Sequence, residues 1–145
     1  MSEPTEPRRT DALAARIRAR GLPAAVATIA LEGGAAVHPA LRGHTDAVDA
    51  RGWAVANRHP ELVPLWTSGA VVTLAAGDGS VSRWSPELPD EPLHAYADLA
   101  EAVRALLTDL WELDDDDTGA GDRRAIAEAL LRPDQVAAAL VPVER

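Results

Sequence analysis

Residues 61–113 read ELVPLWTSGAVVTLAAGDGSVSRWSPELPDEPLHAYADLAEAVRALLTDLWEL, and this stretch decides the fold. An apolar run ends in Trp66 and a second follows at Ala70–Ala76. Runs of this length, rich in Val and Leu and bounded by turn residues, read as strands. Gly77-Asp78-Gly79 then supplies the residue types that a primed hairpin turn favours, so Val81–Trp84 is expected to fold back as a partner strand. Val81 and Trp84 would fall on opposite faces of a regular strand, which predicts a bulge or a strand buried on both faces. Ser85–Pro92 is a loop with three prolines.

The stretch ends in a helix from about Asp98 to Leu113. Asp98 and Glu101 have capping-box spacing. Leu99, Val103, Leu106, Leu110 and Leu113 recur at four, three, four and three, which makes one apolar stripe. Upstream, Thr10 can cap a helix over 11–20, with Leu13 and Ile17 on one face and Gly21 at its end. Pro23 suits the first turn of a second helix running to about Leu31, stopped by Gly33-Gly34. In 35–60, Thr45 is a possible cap for a short helix through Val48 towards Trp53. Past 113, Asp114–Asp117 lead into a Gly-containing break. A last helical segment then starts near Asp122 and is interrupted by Pro133.

These elements predict an α+β fold: a single domain, with a central, mostly antiparallel sheet, N-terminal helices and a C-terminal amphipathic helix. The expected divisions are a flexible tail at 1–10, the α+β domain at 11–113, and an acidic loop with a C-terminal helical extension at 114–145. A chain of 145 residues fits one domain with a proper core. With no Phe and one Tyr, that core must be built from Leu, Val, Ala and four Trp. Trp66 and Trp111 read as core; Trp53 and Trp84, with polar or loop neighbours, read as core or half-buried anchors.

The net charge of −9 argues against a nucleic-acid or anionic-membrane partner and allows a basic protein partner. All fourteen cations are Arg, a bias that accompanies the abundance of Ala and is weak evidence for guanidinium chemistry. Cysteine is absent, which removes disulfides, thiolate metal sites and a Cys nucleophile. No apolar run is long enough to span a bilayer, and the polar N-terminus lacks a signal-peptide core; the expected location is the cytoplasm.

Chemistry is sparse. From Asp114, a calcium loop would place Gly119 sixth, but Ala125 stands where the bidentate Glu belongs. A solvated acidic loop or a partner-binding patch explains the Asp run instead. His38, His44, Asp46 and Asp49 are metal-ligating types without a compact motif spacing. Ser68 and Ser80 lack a nucleophile elbow, and GDGSVS lacks the later Gly and the Lys of a phosphate loop. No catalytic, cofactor-binding or metal residue is therefore assigned. The candidate partner-binding residues are Glu87, Asp90, Glu91, Asp114, Asp115, Asp116 and Asp117.

The order of elements resembles the SUKH superfamily, which includes bacterial toxin-immunity proteins and a fungal cell-wall synthesis regulator. The resemblance rests on Leu22-Pro23 before the second helix, the Gly33-Gly34 pair, Leu62-Val63-Pro64-Leu65, the Val71–Leu74 strand, Asp78-Gly79, Val81, Trp84 and Tyr96-Ala97-Asp98-Leu99. It covers about residues 11–113. The chain departs from the pattern by having only Ala, Val and Ile where the family carries aromatics in the second helix. The resemblance implies an α+β binding protein rather than an enzyme, one that binds a cognate toxin domain and blocks it. Two other readings stay open: a small regulatory or oligomeric subunit, and a small-ligand-binding protein of unrecognised type.

Overall fold

The computed structural model describes residues 5–41, 43–46, 55–88, 90–113 and 120–141, and for 5–11, 110–113 and 120 the backbone alone. Two helices come first, α1 (Thr5–Ala19) and α2 (Ala24–Glu32). Strands β1 (His44–Thr45), β2 (Val63–Ser68), β3 (Val71–Ala75), β4 (Val81–Trp84) and β5 (His94–Tyr96) follow, then helices α3 (Leu99–Leu113), α4 (Ala120–Leu130) and α5 (Pro133–Ala139). The strands form one antiparallel sheet in the order β1-β2-β3-β4-β5. The fold is α+β, as the apolar patterning predicts.

Two tight turns set the register. Between β2 and β3, Gly69 has φ +59° and Ala70 stays at negative φ, the signature of a two-residue turn with glycine first. The Gly77-Asp78-Gly79 hairpin is also present, but it is not a primed two-residue turn. Ala76 N–H donates to the Ser80 carbonyl (2.8 Å) and Gly79 N–H to the Ala76 carbonyl (3.2 Å), a three-residue loop that closes on Gly79 at φ +94°. Asp78 Oδ1 accepts from both the backbone N–H (2.9 Å) and the hydroxyl (2.6 Å) of Ser80. The hydroxyl bond, ahead of the backbone one, holds the Asp78 carboxyl below its usual pKa.

The expected irregularity falls on β2 rather than β4. Pairing shifts between Pro64 and Trp66, so Leu65 is the extra residue of a bulge. Strand β4 is regular and is buried on both faces at its ends. Val81 enters the main core with Leu13, Ile17, Val26, Leu99 and Leu107, while Trp84 joins a smaller cluster on the reverse face with Val55, Leu62, Val72 and Leu74. His59 packs on Trp84 with ring centroids 4.6 Å apart. Trp66 is buried in the main core; Trp53 and the side chain of Trp111 lie outside the described residues.

Three boundaries differ from the sequence reading. Helix α1 begins at Thr5, so Thr10 is interior to it and six of the ten residues of the expected tail are helical. Thr45 is not a helix cap: it is in β1, opposite Thr67, to whose carbonyl its hydroxyl donates (3.2 Å). Residues 47–54, the rest of that expected helix, are outside the described residues. The segment 120–141 is not peripheral, since Ile126, Leu130, Leu131 and Val136 close the same core as α1, α2 and α3. Pro133 starts α5 rather than interrupting a single helix, as suits a residue with no N–H to donate in a first turn.

Local chemistry accounts for the helix ends. Glu101 N–H donates to Asp98 Oδ1 (2.9 Å) and Ala97 N–H to Glu101 Oε2 (2.6 Å), the reciprocal cap that the spacing predicts at α3. Gly33 ends α2 at φ +94°. Its neighbour Gly34 is needed for a different reason: a Cβ there would lie 2.2 Å from the Leu41 carbonyl and 2.8 Å from the His44 carbonyl. This close approach seats β1 on the end of α2. Arg16 of α1 and Arg20 just after it donate to the carbonyls of Pro60 (2.7 Å) and Glu61 (2.8 Å), which ties the chain entering β2 to the first helix.

Candidate functional site

Antiparallel pairing sorts the strand residues into two faces, because partners opposite each other point the same way and alternate residues point oppositely. On the face toward α3, one row runs Trp66, Thr73, Arg83, His94. The next row outward pairs His44 with Ser68, and the next row inward places Tyr96 beside Val81. Over these rows lies α3, whose Ala102, Ala105, Leu106 and Asp109 follow one another at helical-face spacing.

A cavity of about 260 Å³ opens between sheet and helix here. Its polar lining is His44, Ser68, Thr73, Arg83, Tyr96 and Asp109. Trp66, Leu106 and the two alanines supply its apolar walls. The room exists because Ala102 and Ala105 stand where larger side chains elsewhere on α3 would fill the space.

Among the described residues, the charged side chains that line the cavity are Arg83 and Asp109. Arg83 Nη1 lies 3.6 Å from Asp109 Oδ2, longer than the ~2.7–2.9 Å of a charge-assisted hydrogen bond. The two side chains are 27% and 29% exposed, so the pair sits at a partly wet wall. His44 is neutral at physiological pH. Burial lowers its pKa from 6.5 to about 4, with the Arg83 charge acting in the same direction and Asp109 opposing both. The His44 Nδ1 atom is itself buried without a hydrogen-bond partner.

The metal-ligating residue types singled out from the sequence do not assemble around this histidine. His38 turns instead to Asp122 at the start of α4 (3.5 Å), and its Nδ1 accepts from Ala40 N–H (3.1 Å). Asp49 is outside the described residues, and among the described residues no three His, Asp or Glu side chains converge on one point. Ser68 ends β2 and lines the cavity, while Ser80 serves the Asp78 turn.

The acidic candidates occupy another surface. Glu87, Asp90 and Glu91 are all exposed in the loop between β4 and β5. Asp90 already holds Arg58 through an exposed contact of 2.6 Å. The same loop presents Leu88 and Leu93, 64% and 46% exposed, which are two of the three large exposed apolar side chains among the described residues. Its ends are fixed: Leu88 N–H donates to the Ser85 carbonyl (3.0 Å), and Leu93 N–H to the Arg83 carbonyl (2.7 Å). Asp114, Asp115, Asp116 and Asp117 lie outside the described residues.

Sequence reasoning finds the acidic loop and misses the cavity. Arg83 and Asp109 carry no local motif; strand register brings Arg83 near His44, and the packing of α3 on the sheet brings Asp109. The small residues Ala102 and Ala105 are the available signal, at positions where a close-packed helix face would carry larger ones. No helix among the described residues is long and apolar enough to cross a membrane. Comparison with protein-family models, curated proteins and solved structures finds no significant match to this chain.

Proposed function

We propose that this chain is a non-enzymatic protein-binding module, an immunity protein that binds and neutralises a basic bacterial toxin domain in the cytoplasm. The observation that carries the reading is the β4–β5 loop. It exposes two leucines within a rim of three carboxylates, with no cation of its own between Ser85 and Leu93. Apolar anchors surrounded by a polar rim are the anatomy of a protein interface, and the rim's sign selects a basic partner. Tight hairpins do not need such a loop. The net charge of −9 adds long-range steering toward a cationic surface. The SUKH-like order of elements supports the same class of function.

The test is protection from a toxin domain encoded beside this gene. Cells that co-express both should survive, and Leu88→Asp with Leu93→Asp should abolish protection while the protein stays folded. Replacing Glu87, Asp90 and Glu91 by their amides should slow association. It should also remove much of its salt dependence, since exposed charges are screened beyond ~8 Å at physiological ionic strength. Stability should change by less than about 1 kcal/mol, because the Arg58–Asp90 pair is exposed. Cells that die equally fast with and without this protein would sink the immunity reading.

A further inference from the structure

We propose that the cavity between α3 and the sheet binds a small uncharged polyhydroxy compound, a monosaccharide or a polyol of similar size. The site shares no residue with the acidic loop, and the inference does not rest on the toxin-binding reading.

The first argument is a set of polar groups left without partners. Thr73 and Trp66 are each 3% exposed, and both line the cavity. Among the described residues, neither the Thr73 hydroxyl nor the Trp66 indole N–H has a hydrogen-bond partner. The same holds for the hydroxyls of Ser68 and Tyr96, which line the same space. A buried hydroxyl or indole N–H without a partner is unfavourable, and folded proteins satisfy nearly all of them. Thr67 Oγ1, on the opposite face of the sheet, is enclosed by protein and unpartnered. The groups on the α3 face instead border a volume that a guest can enter.

Their placement is the second argument. Trp66 and Thr73 are cross-strand partners on β2 and β3, and Ser68 lies two residues beyond Trp66 on the same face. Three unpartnered groups thus stand side by side on the cavity floor. The hydroxyls of Ser68 and Thr73 can donate and accept, whereas the indole N–H only donates. A guest with several hydroxyls of its own answers all three at once.

The third argument is the character of the wall. Arg83 and Asp109 face each other at 3.6 Å, and Asp109 holds a further interaction besides. An uncharged guest leaves these contacts in place. Polar and apolar side chains are interleaved rather than separated: α3 contributes Asp109 beside Leu106, and the sheet contributes Thr73 beside Trp66. A sugar has the same mixed character, with hydroxyls around its edge and C–H groups on its faces. At about 260 Å³ the cavity falls just below the ~300–1,000 Å³ range of drug-sized ligand sites, which suits a single ring.

The probes are D-xylose, D-glucose and myo-inositol. Cyclohexanol keeps a ring with one hydroxyl, and D-glucuronate adds a carboxylate to the sugar. Binding to the full chain is followed by Trp fluorescence and by calorimetry. At least one of the first three should bind with a Kd below about 10 mM. Cyclohexanol should bind at least about tenfold more weakly than that compound, and D-glucuronate no more tightly than D-glucose. Thr73→Val removes the hydroxyl and keeps the shape, and should weaken binding at least about fivefold while the protein melts like the parent. Should that variant fail to fold, Ala105→Leu provides the independent check: it fills the cavity from the helix side and should abolish binding while the protein melts cooperatively. The proposal is overturned if none of the three polyhydroxy probes binds at up to about 10 mM, since water alone then satisfies these groups. It is equally overturned if cyclohexanol binds as tightly as the best of them, if D-glucuronate binds more tightly than D-glucose, or if folded Thr73→Val or Ala105→Leu protein binds unchanged.

Discussion

The two halves of the α3–sheet interface differ in a way that separates fold from site. In one half, Leu99, Val103 and Leu107 press into the main core against Val81, Ala75 and the helices α1 and α2. In the other, the same helix presents Ala102, Ala105 and Asp109 to Thr73, Arg83 and His44, and a cavity remains. Both halves use the same helix, the same sheet and the same register. The closed half shows what packing alone requires: large side chains, no charge and no gap. The open half departs from all three requirements, so its residues are the ones that folding does not explain.

The contrast can be broken at neighbouring leucines. Leu107 is fully buried in the closed half, and Leu107→Ala should cost ~2–5 kcal/mol in chemical denaturation. Leu106 is also buried but borders the cavity, where part of its surface already lacks packing partners. Leu106→Ala should therefore fall at the low end, about 2 kcal/mol. Equal losses at the two positions would mean that the open half is as tightly packed as the closed one.

Much of the closed half is legible in the sequence, because its signals are local. The capping pair Asp98–Glu101, the spacing of Leu99, Val103 and Leu106, and the glycines of the 77–79 hairpin each report on a few adjacent residues. The stripe read from that spacing is too narrow, however. Leu107 is buried in the same core as well, and α3 also packs on α4 and α5, from a segment that reads along the chain as an extension. The open half is illegible for the opposite reason. Residue type and proximity along the chain group His44 with His38 and Asp46, yet its effective neighbours are Arg83 and Asp109, which act on its charge from β4 and α3. Strand register and the packing of α3 over the sheet make that grouping, and no spacing rule along the chain reports it.

The open half should also be visible in acid. In the folded chain, burial holds the His44 pKa at about 4, against 6.5 for an ordinary imidazole. Between these values the unfolded chain takes up a proton that the folded chain refuses, so stability falls as pH drops from 6.5 towards 4 and levels off below. A shift of this size corresponds to about 3 kcal/mol. Other carboxylates titrate in the lower part of this window, so the measurement is the difference between the parent and His44→Gln. The parent should lose that much more stability than the variant between neutral pH and pH 4. Parallel curves would place His44 in a wet environment.

The smallest effect is expected from filling the gap. Inserting methylenes into a close-packed core typically costs ~1–3 kcal/mol, because neighbours are driven off their rotamers. Ala105 faces open volume, so Ala105→Leu adds apolar surface where space exists. The burial gained, about 0.8 kcal/mol per methylene at best, is offset by the fixed rotamer and by crowding of Arg83 and Asp109. The net change in unfolding free energy should lie within about 1 kcal/mol of zero. The same substitution at Ala127, which is fully buried between α4 and the main core, should cost clearly more. If Ala105→Leu destabilises as much as Ala127→Leu, the interface has no open half. If it is neutral while Ala127→Leu is not, the two alanines keep open a space that packing would otherwise fill.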